Sequence, residues 1–229
     1  HHGSHQRAGE AFGANGRNGG GGPVTVDALL TAGGRGSRLR DIPTEKPLVQ
    51  VLGRPMIDRV LDAFTGTRAI EHVYVSVSPH APETKRHLAE RGERLIETPG
   101  AGYSEDLNQA MRSIGADKVL VCPVDLPLLT SDGIESVVAA SRRSSAGSFC
   151  VTVPLETMIS LGMALTYSLE VNGRKVVLCG VSVVDREQML TGLELEQDYM
   201  VTESEEFALN VNTMDDLSKA EAALMRRRG

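Results

Sequence analysis

The chain has 229 residues, a net charge of -6, no tryptophan and three cysteines. Its one basic tract is Arg226 to Arg228, which speaks against broad nucleic-acid binding, and no apolar run approaches the ~18 residues of a membrane-spanning helix. Cys122, Cys150 and Cys179 are far apart and odd in number, which fits a reducing cytoplasm better than a disulfide framework or a zinc site.

Residues 1–22, HHGSHQRAGEAFGANGRNGGGG, lack periodicity and apolar content and read as an expression tag and linker, which removes His1, His2 and His5 as metal-site candidates. No signal peptide is visible. Residues 23–229 are expected to form one domain, about 205 residues, long enough for a sizeable core. From there strands and helices alternate. Residues 24–31 form an apolar run ending at glycines, and 55–66 have helical spacing, with Pro55 suited to a first turn and Gly66 to a stop. A β-branched strand is expected over 72–78, a charged helix over 82–92, a strand over 94–98 and a helix over 104–115. The run KVLVCPV (118–124) is the most apolar strand and belongs near the centre of the sheet. A helix over 132–143 has Asp132 and Glu135 at capping-box spacing. A strand is expected over 148–156. Asn172-Gly173 between two β-rich runs within 164–185 predicts a hairpin. Residues 207–212 read as a strand, and 213–227 as a closing helix capped by Thr213. The repeated β-α-β order predicts an α/β fold: a Rossmann-like, three-layer αβα domain with a mostly parallel central sheet and a C-terminal β-hairpin. Ligands in such sheets sit at the carboxyl ends of strands, here after Thr31, Ser78, Thr98 and Val124.

The loop AGGRGSRLRDIPTEKP leaves the first strand. It matches neither G-x-x-x-x-G-K-S/T nor G-x-G-x-x-G. Its glycines let backbone amides approach phosphate oxygens or a base edge, and Arg38 and Lys46 suit a polyphosphate; the bland alternative is a solvated turn with exposed cations. Asp125 follows the central strand, where one carboxylate suits Mg²⁺ and phosphate oxygens, although D-x-P is also a turn signal. Gly100 and Gly102, in ETPGAGYSEDLN, make a strand-to-helix turn that passes close to a base or ribose, or is only a turn. The asparagines of NVNT (210–213) are placed to reach a metal or phosphate. Asp185 suits a helix cap or a second metal carboxylate. His72, His80 and His87 lack metal-ligand spacing and read as surface residues, and the cysteines read as core.

AGGRGSRL, EKPL and VDLPLL together resemble the nucleotidyltransferase superfamily, over nearly all of the chain after residue 24. DALLTAGGRGSRL, EKPLVQVLGRPMID, ETPGAGYSEDLNQAM and LNVNTMDDLSKAE are similar to the archaeal-type GTP:adenosylcobinamide-phosphate guanylyltransferases, which resemble the molybdenum-cofactor guanylyltransferases in fold. The resemblance implies transfer of GMP from GTP to a phosphorylated corrinoid, adenosylcobinamide phosphate, with Mg²⁺ as the implied cofactor. It assigns Leu30, Ala32, Gly33, Gly34, Arg35, Gly36, Ser37, Ser78, Thr98, Gly100 and Gly102 to the nucleotide. Arg38 and Lys46 serve the phosphates and the transition state, Asp125 the metal with Asn212 as a second ligand, and Tyr103, Glu105, Asp106 and Gly180 the acceptor. Ser182 and Val124 depart from the family pattern, where Asn and Ser are usual. Other phosphate acceptors, including molybdopterin, and a non-catalytic GTP-binding domain are the competing expectations. A homo-oligomer is left open.

Overall fold

The computed structural model describes residues 26–34, 39 and 42–228. Residues 1–22, read above as tag and linker, lie outside them. The strands are β1 (Val26–Thr31), β2 (Gln50–Val51), β3 (Arg54–Pro55), β4 (Val73–Val77), β5 (Arg94–Glu97), β6 (Lys118–Pro123), β7 (Ser148–Pro154), β8 (Ser168–Val171), β9 (Arg174–Asp185) and β10 (Gln197–Val201). The helices are α1 (Met56–Thr65), α2 (Pro82–Glu90), α3 (Tyr103–Arg112), α4 (Ser131–Ser141), α5 (Leu155–Ser160), α6 (Arg186–Leu190), α7 (Glu205–Ala208) and α8 (Met214–Arg228), with a 3₁₀ turn at Lys46–Leu48. None of these helices is long and apolar enough to cross a membrane.

The main sheet runs β10-β7-β9-β6-β1-β4-β5, with β8 beside β9. Among the described residues all its strands except β9 point the same way. The apolar strand β6 lies at its centre, as its composition predicts. Alternation along β1 sends Leu30 to one face and Leu29 to the other. The Leu30 face packs on α1 through Ile57, Leu61 and Phe64, on α4 through Ile134 and Val138, and on α8 through Leu217 and Ala220. The Leu29 face packs with Val119 and Val121 against Ala110 and Met111 of α3. Two apolar faces covered by helices make the three layers, as expected.

The hairpin forms where Asn172-Gly173 places it. Both residues have positive φ, 51° and 78°, as a type I′ turn demands. Its second strand, β9, carries an irregularity. Cys150 pairs with Ser182, but Thr152, two residues on, pairs with Leu178, four residues back. Gly180 sits in this bulge with φ +89°, and a Cβ there would lie 3.2 Å from Pro123 Cγ. The bulge fixes Gly180 through backbone conformation and close approach to the end of β6.

Two expectations are corrected, and one strand was missed. Residues 207–212 are not a strand. Leu209 N–H donates to Glu205 O, Asn210 N–H to Ala208 O and Val211 N–H to Asp125 O, so these amides are used without a ladder. The polar edge strand β10 was not legible, because Gln197 and Asp198 break the apolar pattern and lie exposed. The cap of α4 is Thr130, not Asp132: its hydroxyl oxygen accepts from Gly133 N–H at 3.0 Å. Glu135 instead accepts from the Thr67 hydroxyl and Arg68 N–H. Thr130 also donates through its N–H and hydroxyl to the buried Glu206 carboxylate, at 2.8 and 2.7 Å. Thr130→Ala removes the cap and one donor to a buried charge, so urea unfolding should show a loss of about 1–2 kcal/mol.

Candidate active site

Lys46 opens the 3₁₀ turn that follows the glycine loop. Its neighbour Glu45 anchors the turn. The Glu45 carboxylate accepts from Glu83 N–H at 2.9 Å, Thr84 N–H at 2.7 Å and the Thr84 hydroxyl at 2.6 Å. These amides lie in the first turn of α2, which its dipole makes favourable for an anion. The Lys46 ammonium donates to Asp125 Oδ2 at 3.1 Å and to Asn212 Oδ1 at 2.7 Å. The Lys46 and Asp125 side chains are 19% and 17% exposed. Asp125 lies two residues beyond β6. Its carbonyl accepts from Val211 N–H at 2.8 Å, which fastens the NVNT segment beside it. Thr213 and Asp216 cap α8 reciprocally: Asp216 Oδ2 accepts from Asn212 and Thr213 N–H, and Thr213 Oγ1 accepts from Asp216 N–H. Asn212 is thereby held at the head of the closing helix.

Two clefts open at the carboxyl ends of the parallel strands, one of them bordered by Asn212. One, about 440 Å³, lies over the ends of β1, β4 and β5 and is lined by Thr31, Gly33, Gly34, Ser76, His80, Thr98, Gly100, Gly102, Tyr103, Asp106, Leu107 and Pro123. The Ser78 hydroxyl donates to Gly33 O at 2.7 Å, and a Cβ on Gly33 would crowd Ser78 at 3.3 Å. Thr98 is tied to Val77 O through its N–H and its hydroxyl. Gly100 has φ +72°, and a Cβ there would meet the His80 ring at 2.8 Å. The other cleft, about 250 Å³, has an apolar wall that includes Val153, Met158, Met163 and Phe207 and a polar one of Thr166, Asn210, Asn212, Thr213 and Asp216.

The sequence-predicted residues divide accordingly. Gly33, Gly34, Thr98, Gly100 and Gly102 share one cleft, with Ser78 bonded behind Gly33. Lys46, Asp125 and Asn212 converge. Leu30 and Ala32 are buried, and Leu30 packs in the core. Arg35, Gly36, Ser37 and Arg38 lie outside the described residues. Tyr103 lines the cleft while remaining largely exposed. Glu105 points away, with Asn108, Gln109 and Arg112 on the outer side of α3. Asp106 lies in the glycine-lined cleft, where its Oδ1 accepts from Gly100 N–H at 3.0 Å and Ala101 N–H at 3.3 Å. Glu45 was not singled out, and His80 was read only as a surface residue. The EKP motif contained the first, and the second lies two residues beyond Ser78. His80 is a wall of the cleft, with Nε2 3.1 Å from Gly100 O. His72 and His87 pair with Asp27 and Asp58. Asp185 caps α6 by accepting from Gln188 N–H.

The donor set suits a hard cation. The Asp125 carboxylate and the Asn212 amide oxygen lie side by side, both accepting from the Lys46 ammonium, and Asp125 Oδ1 has no hydrogen bond among the described residues. One carboxylate, an amide oxygen, waters and substrate phosphates are what Mg²⁺ takes. Asp27, Glu71 and His72 also bring ligand atoms within 4.8 Å of one another. They lie at the opposite end of β1 and β4, away from the clefts. Burial pushes the Cys122 thiol well up and Cys179 to about 12, so both stay neutral near Asp125 and offer no thiolate nucleophile. Glu45→Ala would strip the first turn of α2 of three bonds and release the Lys46 turn. Urea unfolding should register a loss of roughly 1–3 kcal/mol.

A family model described as the MobA-like NTP transferase domain matches residues 28–171. The chain is 29% identical over 211 residues to the adenosylcobinamide-phosphate guanylyltransferase of Methanocaldococcus jannaschii, covering 88% of this chain and 98% of that one. It is 38% identical over 121 residues to a phosphoenolpyruvate guanylyltransferase of Sphaerobacter thermophilus, covering 51% of this chain and 55% of that protein. Among solved structures, CMP:2-keto-3-deoxy-manno-octonic acid synthetase complexed with CTP superposes with a TM-score of 0.69 at 15% identity, covering 89% of this chain and 99% of that one. A nucleotidyl transferase from Methanothermobacter gives 0.66 at 16%, with the same coverage. These two likenesses show the fold. The strand-end lysine–aspartate centre therefore has its setting in a nucleotidyltransferase, and the chain belongs to the MobA-like NTP transferase domain family.

Proposed function

We propose that the protein transfers GMP from GTP to adenosylcobinamide phosphate, releasing pyrophosphate and giving adenosylcobinamide-GDP. The observation that carries this reading is the half-buried Lys46 ammonium, held by Asp125 and by Asn212 at the edge of the second cleft, in a chain that matches a guanylyltransferase for that acceptor over 88% of its own length and 98% of that protein. The glycine-lined cleft takes the nucleoside. The other cleft, which includes Asn212, faces the acceptor.

An acceptor phosphate oxygen attacks the α-phosphorus of GTP. A P–O bond forms, the bond to the β-phosphate breaks, and its electron pair leaves with pyrophosphate. The attacking oxygen is already anionic, so no general base is required, and none of the His or Cys residues has to act as one. The difficulty is the approach of two anions, which fixed positive charge relieves. Lys46 is prepositioned for that work. Arg35 and Arg38 are assigned to the β- and γ-phosphates. Mg²⁺ bound by Asp125 and Asn212 would supply further charge neutralisation at the phosphates. Free, buried thiols suit a reducing cytoplasm as the place of the reaction.

Incubation with Mg²⁺, adenosylcobinamide phosphate and each of the four nucleoside triphosphates should release pyrophosphate and give product with GTP alone. Product with another phosphorylated acceptor, phosphoenolpyruvate included, and none with the corrinoid would overturn the acceptor assignment. Lys46→Ala should cut turnover by about 100-fold while changing GTP affinity much less. Asp125→Asn should abolish most metal-dependent turnover. Full activity of that variant in chelator would remove Asp125 from the mechanism.

A further inference from the structure

Asp106 places a carboxylate in the cleft assigned to a triphosphate. Facing the phosphates it would repel them. It therefore faces a part of the nucleotide that donates hydrogen bonds. The ribose hydroxyls and the base edge are the two candidates, and the sheet separates them. The reaction centre follows β6. Asp106 is tied to Gly100, which packs on Ser78 and His80 beyond β4, two strands from β6 across β1. Two strand spacings are about 10 Å, longer than the reach from the α-phosphate to the ribose hydroxyls and close to its reach to the base edge.

We infer that Asp106 is the residue that selects guanine, by accepting from its N1–H and N2–H groups. The inference rests on the proposed use of GTP and assigns the group that enforces it. Guanine presents two adjacent donors on its Watson–Crick edge. Adenine and cytosine present a bare ring nitrogen there, and uracil has a single N–H between two carbonyls. A carboxylate is an acceptor only, so it rewards guanine and opposes the other bases. Its orientation is set in advance. Oδ1 is held by Gly100 and Ala101 N–H, and Oδ2 has no hydrogen bond among the described residues. A Cβ on Gly102 would meet no protein atom within 4 Å, so its absence leaves room in the cleft, and Gly100 presses against His80.

Binding to the full chain, measured by calorimetry without acceptor, tests this. Wild-type protein should bind GTP about tenfold more tightly than ITP, which lacks the 2-amino group, as expected for one charge-assisted hydrogen bond. It should bind 2′-deoxy-GTP close to GTP. Asp106→Asn keeps an oxygen for the Gly100 and Ala101 amides and turns Nδ2–H toward the base. It should lose the preference for GTP over ITP and gain affinity for XTP, whose 2-oxo group accepts from that amide. The gain cannot come from misfolding. Equal wild-type affinity for GTP and ITP overturns the inference without any variant. So does an unchanged GTP-to-ITP ratio in Asp106→Asn, or a loss in that variant confined to the discrimination between GTP and its 2′-deoxy form. Guanine selection that collapses in the variant, with no transfer to the corrinoid by wild type, would uphold Asp106 and refute the acceptor instead.

Discussion

The Lys46 ammonium joins three segments that are far apart in the chain, Asp125 being 79 residues away and Asn212 166. All three are held by something other than that contact. Glu45 pins the lysine turn to α2, the end of β6 supports Asp125, and the cap of α8 fixes Asn212. This matters because a partly buried ion pair is a poor source of stability: desolvation offsets much of its attraction. Its value is that a positive charge is oriented before substrate arrives. The scaffold carries the cost of holding it there, and that is the condition for electrostatic catalysis.

The two clefts belong to different parts of the sheet. Parallel strands β1 and β5 lead into glycine turns, and with β4 they border the glycine-lined cleft. The other half of the sheet is reversed locally by β9, and β9 and β7 border a hollow beside Asn212. Gly180 lies at the join. Its contact with Pro123 links the strand that carries the aspartate to the strand that borders the hollow.

Much of the fold was legible because local signals and tertiary demands agree. Asn172-Gly173 can adopt the two positive φ values of its turn, and Thr213 caps α8 through its own side chain. The misreadings arise where tertiary contacts decide. Residues 207–212 have a strand-like composition, but Val211 spends its amide on Asp125. Thr130 wins the cap of α4 because buried Glu206 holds it, a partner 76 residues away. The triad of Lys46, Asp125 and Asn212 was readable as three separate motifs, but not as one contact. Asp106 and Glu105 are adjacent in the sequence, but helix phase turns Asp106 into the glycine-lined cleft and Glu105 away from it, which only the folded helix shows.

The bulge in β9 has a consequence for how this chain can change length. It holds two residues more than the facing stretch of β7, and two is the period of the pleat. Val177 on one side of it and Val183 on the other therefore remain in the same core. A single inserted or deleted residue would turn one of the two outward. Gains and losses at this point are tolerable in pairs, so across relatives the parity of this loop should persist even where its sequence does not.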